Sequence, residues 1–365
     1  MRVSVVGGGV IGLAVAWRCA QQGLDVTVHD PSPHTAAARV AAGMLAPVTE
    51  LHYGEEDLLA LNLDSARRWP AFADELAADA GMDPGYMQTG TLAVARDTDD
   101  LAAFEVLHAY QTELGLKAER LTSHEVRRRE PALATGVRGG LYVAGDHQVE
   151  NRRLMAALLS AAESRGVEVV VDAPDGPEAL AAMDADVVVV AAGWASARLL
   201  PELPIRPVKG QIVRLAATAR SVLPTHVLRG LEVYVVPRHH EIVVGATVED
   251  VGVDTTVTAG AVHELLRAAW ELVPGIAEAE LVETAAGLRP GTPDNAPVIG
   301  AVDHRTVVAT GHYRNGILLA PVTADAVAEL IATGSGPDVI TPFGPGRFTG
   351  GRDRRPTDAP EEASA

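Results

Sequence analysis

The chain has 365 residues, 47% hydrophobic and 21% charged, a globular composition long enough for about two domains, which excludes a mini-protein held by disulfide or metal staples. Thirty Lys and Arg against 48 Asp and Glu leave a formal charge of −18, a field that repels phosphate backbones and anionic membranes and sets nucleic acid aside as a partner. A single cysteine, Cys19, excludes an internal disulfide and an all-cysteine metal site and points to a reducing cytosol, while aromatics at 4% argue against an aromatic-lined groove.

Residues 3–17 are mostly apolar behind one arginine. Gly7-Gly8-Gly9 would break a signal-peptide helix, however, and no small-residue cleavage site follows. Residues 2–6 read instead as a strand, 10–22 as a helix and 25–29 as a second strand, a βαβ unit with parallel pairing. A Gly- and Ala-rich loop over 31–47 precedes helices over 55–78 and 99–114, a strand over 139–143, a helix over 151–165 and a strand over 167–171. Val187-Val188-Val189-Val190 suits a parallel strand covered on both faces. From residue 205 the pattern changes to period two: strands over 205–215, 231–236 and 241–247, with a tight turn at 237–240, form an antiparallel meander. A helix over 259–272, strands near 279–288 and 306–309 and a helix over 315–333 close the chain, and the Pro-, Gly- and charge-rich residues 349–365 read as a flexible tail. An α/β start, a β meander and an α/β return suggest a discontinuous nucleotide domain with a substrate domain inserted into it. No apolar stretch reaches the ~20 residues of a membrane span, so the expectation is a cytoplasmic protein with no membrane partner.

Gly7-Gly8-Gly9-Val10-Ile11-Gly12 is a G-x-G-x-x-G run placed after a strand and at the start of a helix, the context a dinucleotide site requires. Gly7 permits the tight turn, Gly9 admits a pyrophosphate to the backbone, and Gly12 allows close helix–sheet packing. Asp30 ends the second strand, where a carboxylate accepts ribose hydroxyls. These residues alone leave FAD and NAD open. His263-Glu264 lacks the second histidine of a zinc motif, and neither a G-x-S-x-G elbow nor a G-x-x-x-x-G-K-[ST] loop occurs. No metal is expected.

Three further runs follow in order: Ala41-Ala42-Gly43-Met44-Leu45-Ala46-Pro47, Gly287-Leu288-Arg289-Pro290-Gly291-Thr292 and Gly311-His312-Tyr313-Arg314-Asn315-Gly316-Ile317-Leu318-Leu319-Ala320-Pro321. Over residues 1 to about 348 the chain resembles the D-amino-acid oxidase family of FAD-dependent oxidoreductases, in its glycine oxidase branch, which serves thiazole assembly in thiamine biosynthesis. The resemblance implies an α/β fold: a Rossmann-like, glutathione-reductase-type FAD domain over 1–82, 145–204 and 285–348, with an inserted antiparallel α+β substrate domain over 83–144 and 205–284. It implies non-covalent FAD, with Cys19 a buried helix residue.

By resemblance the flavin contacts are Gly7, Gly9, Val10, Ile11, Gly12, Asp30, Pro31, Ala38, Ala42, Gly43, Met44, Gly193 and the run His312, Tyr313, Arg314, Asn315, Gly316, Ile317 and Leu318, with Pro174 on the adenine side. On its own Met44 reads equally as core filler and Asn315 as an ordinary helix cap. Arg289, before a proline that keeps it extended, reads by itself as a surface arginine; in the family pattern it is the clamp for the substrate carboxylate, which a guanidinium fork matches with two parallel hydrogen bonds. Tyr234 and Arg314 join it as catalytic, substrate-orienting residues, and Met44 lines the substrate side. Glu232 and Val248 stand where the family often has His and Met, a departure bearing on pocket size and polarity.

The implied reaction is oxidation of glycine, extending to sarcosine and small D-amino acids, to an imine and then glyoxylate and ammonia, with molecular oxygen as partner and hydrogen peroxide as product. The substrate amine must be neutral, and no dedicated base is obligatory. A D-amino-acid or sarcosine oxidase or dehydrogenase of the same fold is the alternative. The family also implies a homo-oligomer.

Overall fold

The computed structural model describes residues 1–32 and 36–348; the tail expected over 349–365 lies outside them. In chain order its elements are β1 (Arg2–Val6), α1 (Val10–Gln21), β2 (Asp25–His29), β3 (Met44–Leu45), α2 (Glu56–Ala80), β4 (Tyr86–Met87), β5 (Thr91–Ala95), α3 (Thr98–Glu113), β6 (Glu119–Thr122), α4 (Ser123–Arg129), β7 (Gly139–Val143), β8 (His147–Val149), α5 (Asn151–Ser164), β9 (Glu168–Val170), α6 (Pro177–Ala181), β10 (Val187–Val190), α7 (Ser196–Leu199), β11 (Arg206–Ala216), β12 (Val227–Arg229), β13 (Tyr234–Pro237), β14 (Glu241–Gly245), α8 (Ala259–Leu272), β15 (Glu280–Gly291), β16 (Val298–Ala301), β17 (Thr306–Thr310) and α9 (Ala320–Thr333).

Six strands form a sheet in the order β16-β17-β10-β1-β2-β9, with β1 parallel to β2 and β10 and only β16 antiparallel, on β17. The valine run of β10 is buried on both faces as expected: Val189 packs with α1, α5 and α9, whereas Val188 and Val190 pack with Leu180, Leu199 and Leu200 on the other side. Each such burial contributes about 1.5 kcal/mol or more relative to exposure. Helix α2 lies over the first layer, and its Trp69 Nε1 and Ser65 Oγ both donate to the Leu318 carbonyl, at 2.9 and 2.6 Å.

The second sheet has eight strands, β15-β11-β14-β13-β12-β5-β7-β6. Its centre is the expected meander, β11 on β14 and β14 on β13, all antiparallel. Period-two alternation gives it two faces. Val213, Leu215, Val235 and Val244 meet Leu265, Ala268, Ala269 and Leu272 of α8 on one. Ile212, Val227, Tyr234, Val236 and Val243 meet Val40, Ala42 and Met44 on the other, so this second face looks toward the nucleotide-type layer. A small sheet, β3-β8-β4, joins the two.

Several boundaries differ from the sequence reading: the strand expected over 231–236 begins only at Tyr234, with the separate strand β12 before it. The 31–47 loop contains the strand β3, and the last helix begins at Ala320 rather than 315, with Pro321 in its first turn; a proline there has no amide to leave unpaired and a φ already suited to a helix start. Among the described residues no helix is long and apolar enough to cross a membrane.

Candidate functional site

The first strand–helix turn is built by steric exclusion. Gly7 has φ +109°, and a Cβ on it would lie 2.5 Å from the Ala191 carbonyl oxygen; on Gly12 a Cβ would lie 1.8 Å from the Gly7 oxygen. Gly9 differs, because among the described residues the nearest atom to a Cβ there, the Ala36 methyl, is 4.0 Å away. This open side meets the start of α1, where Gly9 is a cap without a side chain and, among the described residues, no side chain caps the first-turn amides, the arrangement that suits an anion. Val10 and Ile11 are buried in that turn. Asp30, 8% exposed, accepts the Gly8 amide on Oδ2 and the Ser32 amide on Oδ1, both at 2.8 Å, and each oxygen keeps lone-pair capacity for a further donor. Gly193, after β10, has φ +58° and nothing within 4 Å of a Cβ. Pro31 is exposed beside Asp30, and Pro174 follows β9, the strand paired with β2.

The segment from residue 36 to β3 is tied down from three sides. Asn151 Nδ2 donates to the Ala38 carbonyl at 2.7 Å, Arg152 Nε to that of Arg39 at 3.3 Å, and the buried Arg238 to that of Ala42. Gly43, at φ +75°, presses so closely on Val149 that a Cβ would sit 2.0 Å from its oxygen, while its own carbonyl accepts the Val149 amide at 2.8 Å. Met44 is thereby delivered to the cluster containing Tyr234.

Strand register sets the other wall. Directly opposed residues share a face, so the pairs Arg229↔Tyr234, Tyr234↔Gly245 and Ile212↔Gly245, then Gly210↔Gly287 and Val208↔Arg289, place Arg229, Tyr234 and Arg289 on the same face above a floor of glycines. The Arg289 guanidinium lies on Gly210, whose Cβ would be 2.3 to 2.4 Å from Nη1, Cζ and Nη2. The Tyr234 ring lies on Gly245, whose Cβ would be 2.4 Å from the hydroxyl. Since β11 and β14 are neighbours, about 4.8 Å apart, the two end groups converge. Arg289 Nη1 donates to the carbonyls of Thr247 (3.0 Å) and Lys209 (3.3 Å). Among the described residues it has no carboxylate partner and the Tyr234 hydroxyl has no hydrogen bond. Burial pushes that hydroxyl up to about 12, against the opposing pull of Arg289, so it is a neutral donor.

Glu50 and Arg229 complete this wall, and sequence reasoning missed both. Arg229 pairs with Glu50; burial raises the Glu50 carboxyl, but Arg229 and Arg314 outweigh it and hold it below the usual carboxylate range. The turn before Glu50 is held by Asp146, fully buried, which accepts the amides of Val48 (3.2 Å) and Thr49 (2.7 Å) and the Thr49 hydroxyl (2.7 Å). Burial pushes Asp146 up to about 7 despite these donors.

The 311–319 segment is spliced to β15 beside Arg289 by the Tyr313 amide, which donates to the Pro290 carbonyl at 3.0 Å. Arg314 lies over the Tyr313 ring at 5.1 Å and has no ion pair among the described residues. His312 is 2% exposed, with Nε2 against the Thr323 hydroxyl at 3.1 Å, and burial pushes it down to about 3, so it is a neutral packing residue. The Asn315 carbonyl accepts the Leu319 amide at 2.8 Å, making 315–319 a turn ahead of α9 whose cap is Leu319 rather than Asn315. Gly316 lies in this turn, and Ile317 and Leu318 are buried beneath it. Of the two departures noted in sequence, Glu232 pairs with Arg96 at 3.1 Å and Val248 is 62% exposed.

A family model described as FAD dependent oxidoreductase matches residues 2–330. The chain is 34% identical to a glycine oxidase of Geobacillus kaustophilus, covering 95% of this chain and 97% of the relative. The crystal structure of glycine oxidase from that organism superposes with TM-score 0.87 at 32% identity, covering 94% and 98% of the two chains. A bifunctional ThiO/ThiG protein of Trichormus variabilis is 35% identical over 95% of this chain; the chain spans about half the length of that relative, 55%.

Proposed function

The chain belongs to the family of FAD dependent oxidoreductases, and from that premise we propose that it oxidises glycine, and with it sarcosine and small D-amino acids, to the imine and then glyoxylate and ammonia, reducing molecular oxygen to hydrogen peroxide and supplying the thiazole branch of thiamine biosynthesis. The single observation that carries the substrate reading is the convergence of Arg289 and Tyr234 over Gly210 and Gly245, a guanidinium that among the described residues has no carboxylate of its own beside a neutral hydroxyl that has no acceptor there.

The residues present fit FAD: the open side of Gly9, the uncapped start of α1, the Gly193 opening and the fixed Asp30 carboxylate form one cradle at the ends of β1, β2 and β10. In this reading Gly7, Gly9, Gly12 and Asp30 hold the dinucleotide, and the segments 38–44 and 312–318 hold its ring portion. When bound, FAD supplies the two-electron acceptor for the Cα–N bond. The chain's own residues supply position. Arg289 holds the carboxylate by its fork, Tyr234 donates to the same group, and Arg314 adds positive charge at the pocket margin; Met44 closes the apolar side. The enzyme works in the cytoplasm as a homo-oligomer.

Oxygen consumption by the FAD-loaded protein tests this, with glycine, sarcosine, D-alanine and D-proline offered in turn and catalase added afterwards. Uptake with glycine, half of it returned by catalase, is the expected result. Bleaching of the flavin under anaerobic conditions without uptake in air would make the protein a dehydrogenase, and no bleaching with any of them would overturn the substrate class.

A further inference from the structure

A guanidinium is planar and carries five N–H donors, so pinning one of its nitrogens fixes which edge is left for a ligand. Arg289, flat on Gly210, donates from Nη1 to the Thr247 carbonyl at 3.0 Å and to the Lys209 carbonyl at 3.3 Å. Its Nε and Nη2 meet no acceptor among the described residues. That free edge can take a carboxylate with two parallel hydrogen bonds. Its direction therefore depends on where two backbone carbonyls point.

The Thr247 carbonyl is turned toward Arg289 by a bulge. Strands β11 and β14 pair through Ile212↔Gly245, and the chain beyond β14 bridges β11 again at Lys209↔Glu249. Between these two pairs Gly210 and Gln211 face Ala246, Thr247 and Val248, one residue too many for a regular ladder. The Gln211 amide takes the Thr247 hydroxyl at 2.9 Å where a ladder would offer it a carbonyl. The carbonyl of Thr247 is thereby left for Arg289.

A bulge held by a hydroxyl needs support, and the support lies on the opposite face of the sheet from Arg289, where alternation places the side chains of Lys209 and Gln211. Glu249 is its hub. Oε1 accepts the Thr247 hydroxyl at 2.5 Å and Gln211 Nε2 at 2.7 Å, and Oε2 lies 3.6 Å from Lys209 Nζ. Gln211 and Lys209 are fully buried and anchored in turn: Gln211 Oε1 accepts the Thr258 amide at the start of α8 at 2.8 Å, and Lys209 Nζ donates to Asp254 at 2.9 Å. Burial works against the Glu249 carboxylate, but Thr247, Gln211 and Lys209 outweigh it and hold it below the usual carboxylate range. It stays an acceptor for all three.

Building on the amino-acid reading above, we infer that Glu249 is a positioning residue for the carboxylate clamp: through the Thr247 hydroxyl it sets the carbonyl that aims the free edge of Arg289 at the substrate. It lies on the other face of the sheet and touches neither the substrate nor the bond that is oxidised. Its effect is therefore on binding of the carboxylate.

A double-variant cycle on the FAD-loaded enzyme tests this, read by the KM for glycine and, without turnover, by the calorimetric Kd of acetate, a carboxylate that has no amine. In Glu249→Ala the buried Lys209 keeps Asp254, so no buried charge loses its last partner. KM and the acetate Kd are expected to rise together by about 30-fold, with kcat within about threefold of wild type and flavin content unchanged. Thr247→Val, which keeps the carbonyl and loses the hydroxyl, should follow Glu249→Ala, and Thr247→Ser, which keeps both, should restore wild-type values. In an Arg289→Ala background Glu249→Ala should have no further effect, because the group it aims is gone. A merely structural residue would lower the unfolding midpoint and the flavin content with KM and Kd unchanged, or would add its loss to that of Arg289→Ala; either result overturns the inference. If Arg289→Ala alone leaves KM and the acetate Kd unchanged, the clamp reading has failed and the inference falls with it. If Arg289→Ala weakens both and Glu249→Ala weakens neither, the clamp stands and the role of Glu249 alone is overturned.

Discussion

Glycine is required in two regions of this molecule for opposite reasons. In the turn after β1, Gly7 and Gly12 are fixed by backbone: a Cβ would meet the Ala191 and Gly7 carbonyl oxygens at 2.5 and 1.8 Å, and neither can move without moving a strand or helix. In the eight-stranded sheet, Gly210 and Gly245 are fixed by side chains, since the atoms a Cβ would meet are the far ends of Arg289 and Tyr234. The first kind of glycine makes a fold possible. On the proposed function the second makes room for chemistry, and should be separable from stability.

The widest test of that division is within the turn itself. Gly12→Ala puts a methyl into a carbonyl and is expected to cost about 3 kcal/mol or more of stability and to yield colourless protein. Gly9→Ala, at an ordinary φ of −75° and with no atom of the described residues nearer than 4.0 Å to the added methyl, is expected to leave the apoprotein within ~0.5 kcal/mol of wild type while weakening FAD binding. Urea unfolding of both apoproteins and FAD titration by flavin absorbance check this. Equal stability losses in the two variants would break the comparison on its first side.

Next in size is the group that the sheet glycine serves. Arg289→Ala is expected to lower kcat/KM for glycine roughly 100- to 1000-fold, chiefly through KM, because it leaves a desolvated carboxylate without its partner. FAD content and the unfolding midpoint should hold, since the guanidinium gives the protein only two hydrogen bonds to carbonyls. An unchanged KM would remove Arg289 from substrate binding.

The same division explains what could be read in the sequence. The G-x-G-x-x-G turn, the parallel β1-α1-β2 unit and the buried run of β10 were legible because each rests on neighbours close in the chain. The meander was legible through its period-two alternation. What escaped depends on distant pairing: β12 is three residues long and pairs with β13 and with β5, and Arg229 meets Glu50 across 179 positions. No local pattern marks Glu50 as the partner of Arg229, and no spacing shows that Gly210 lies under Arg289, which follows from register. One signal was present and under-read: Pro321 marks the true start of α9.

Gly210→Ala comes third. A methyl 2.3 to 2.4 Å from three guanidinium atoms must shift the fork, and a displacement near 1 Å is enough to cost roughly 30-fold in kcat/KM. Stability should change by no more than about 1 kcal/mol, because the displaced atoms are flexible and alanine restricts the unfolded chain. Denaturant midpoints and steady-state kinetics on one preparation separate the two. A stability loss equal to that of Gly12→Ala would erase the difference between the two kinds of glycine.

The smallest effect gives the sharpest discrimination. Tyr234→Phe removes one neutral hydrogen-bond donor and is expected to raise KM about tenfold or less, near the ~1 kcal/mol of such a bond. Gly245→Ala leaves the hydroxyl in place chemically but drives the ring off its floor, because a Cβ would meet Cζ at 2.5 Å as well as the hydroxyl at 2.4 Å. The ring of phenylalanine would be displaced in the same way. If the glycine exists to seat that hydroxyl, the double variant should therefore resemble Gly245→Ala alone, with an interaction energy close to the whole effect of Tyr234→Phe. Additive losses would mean that the methyl acts on something other than Tyr234, and that the floor glycine, like Gly12, is answering to the backbone.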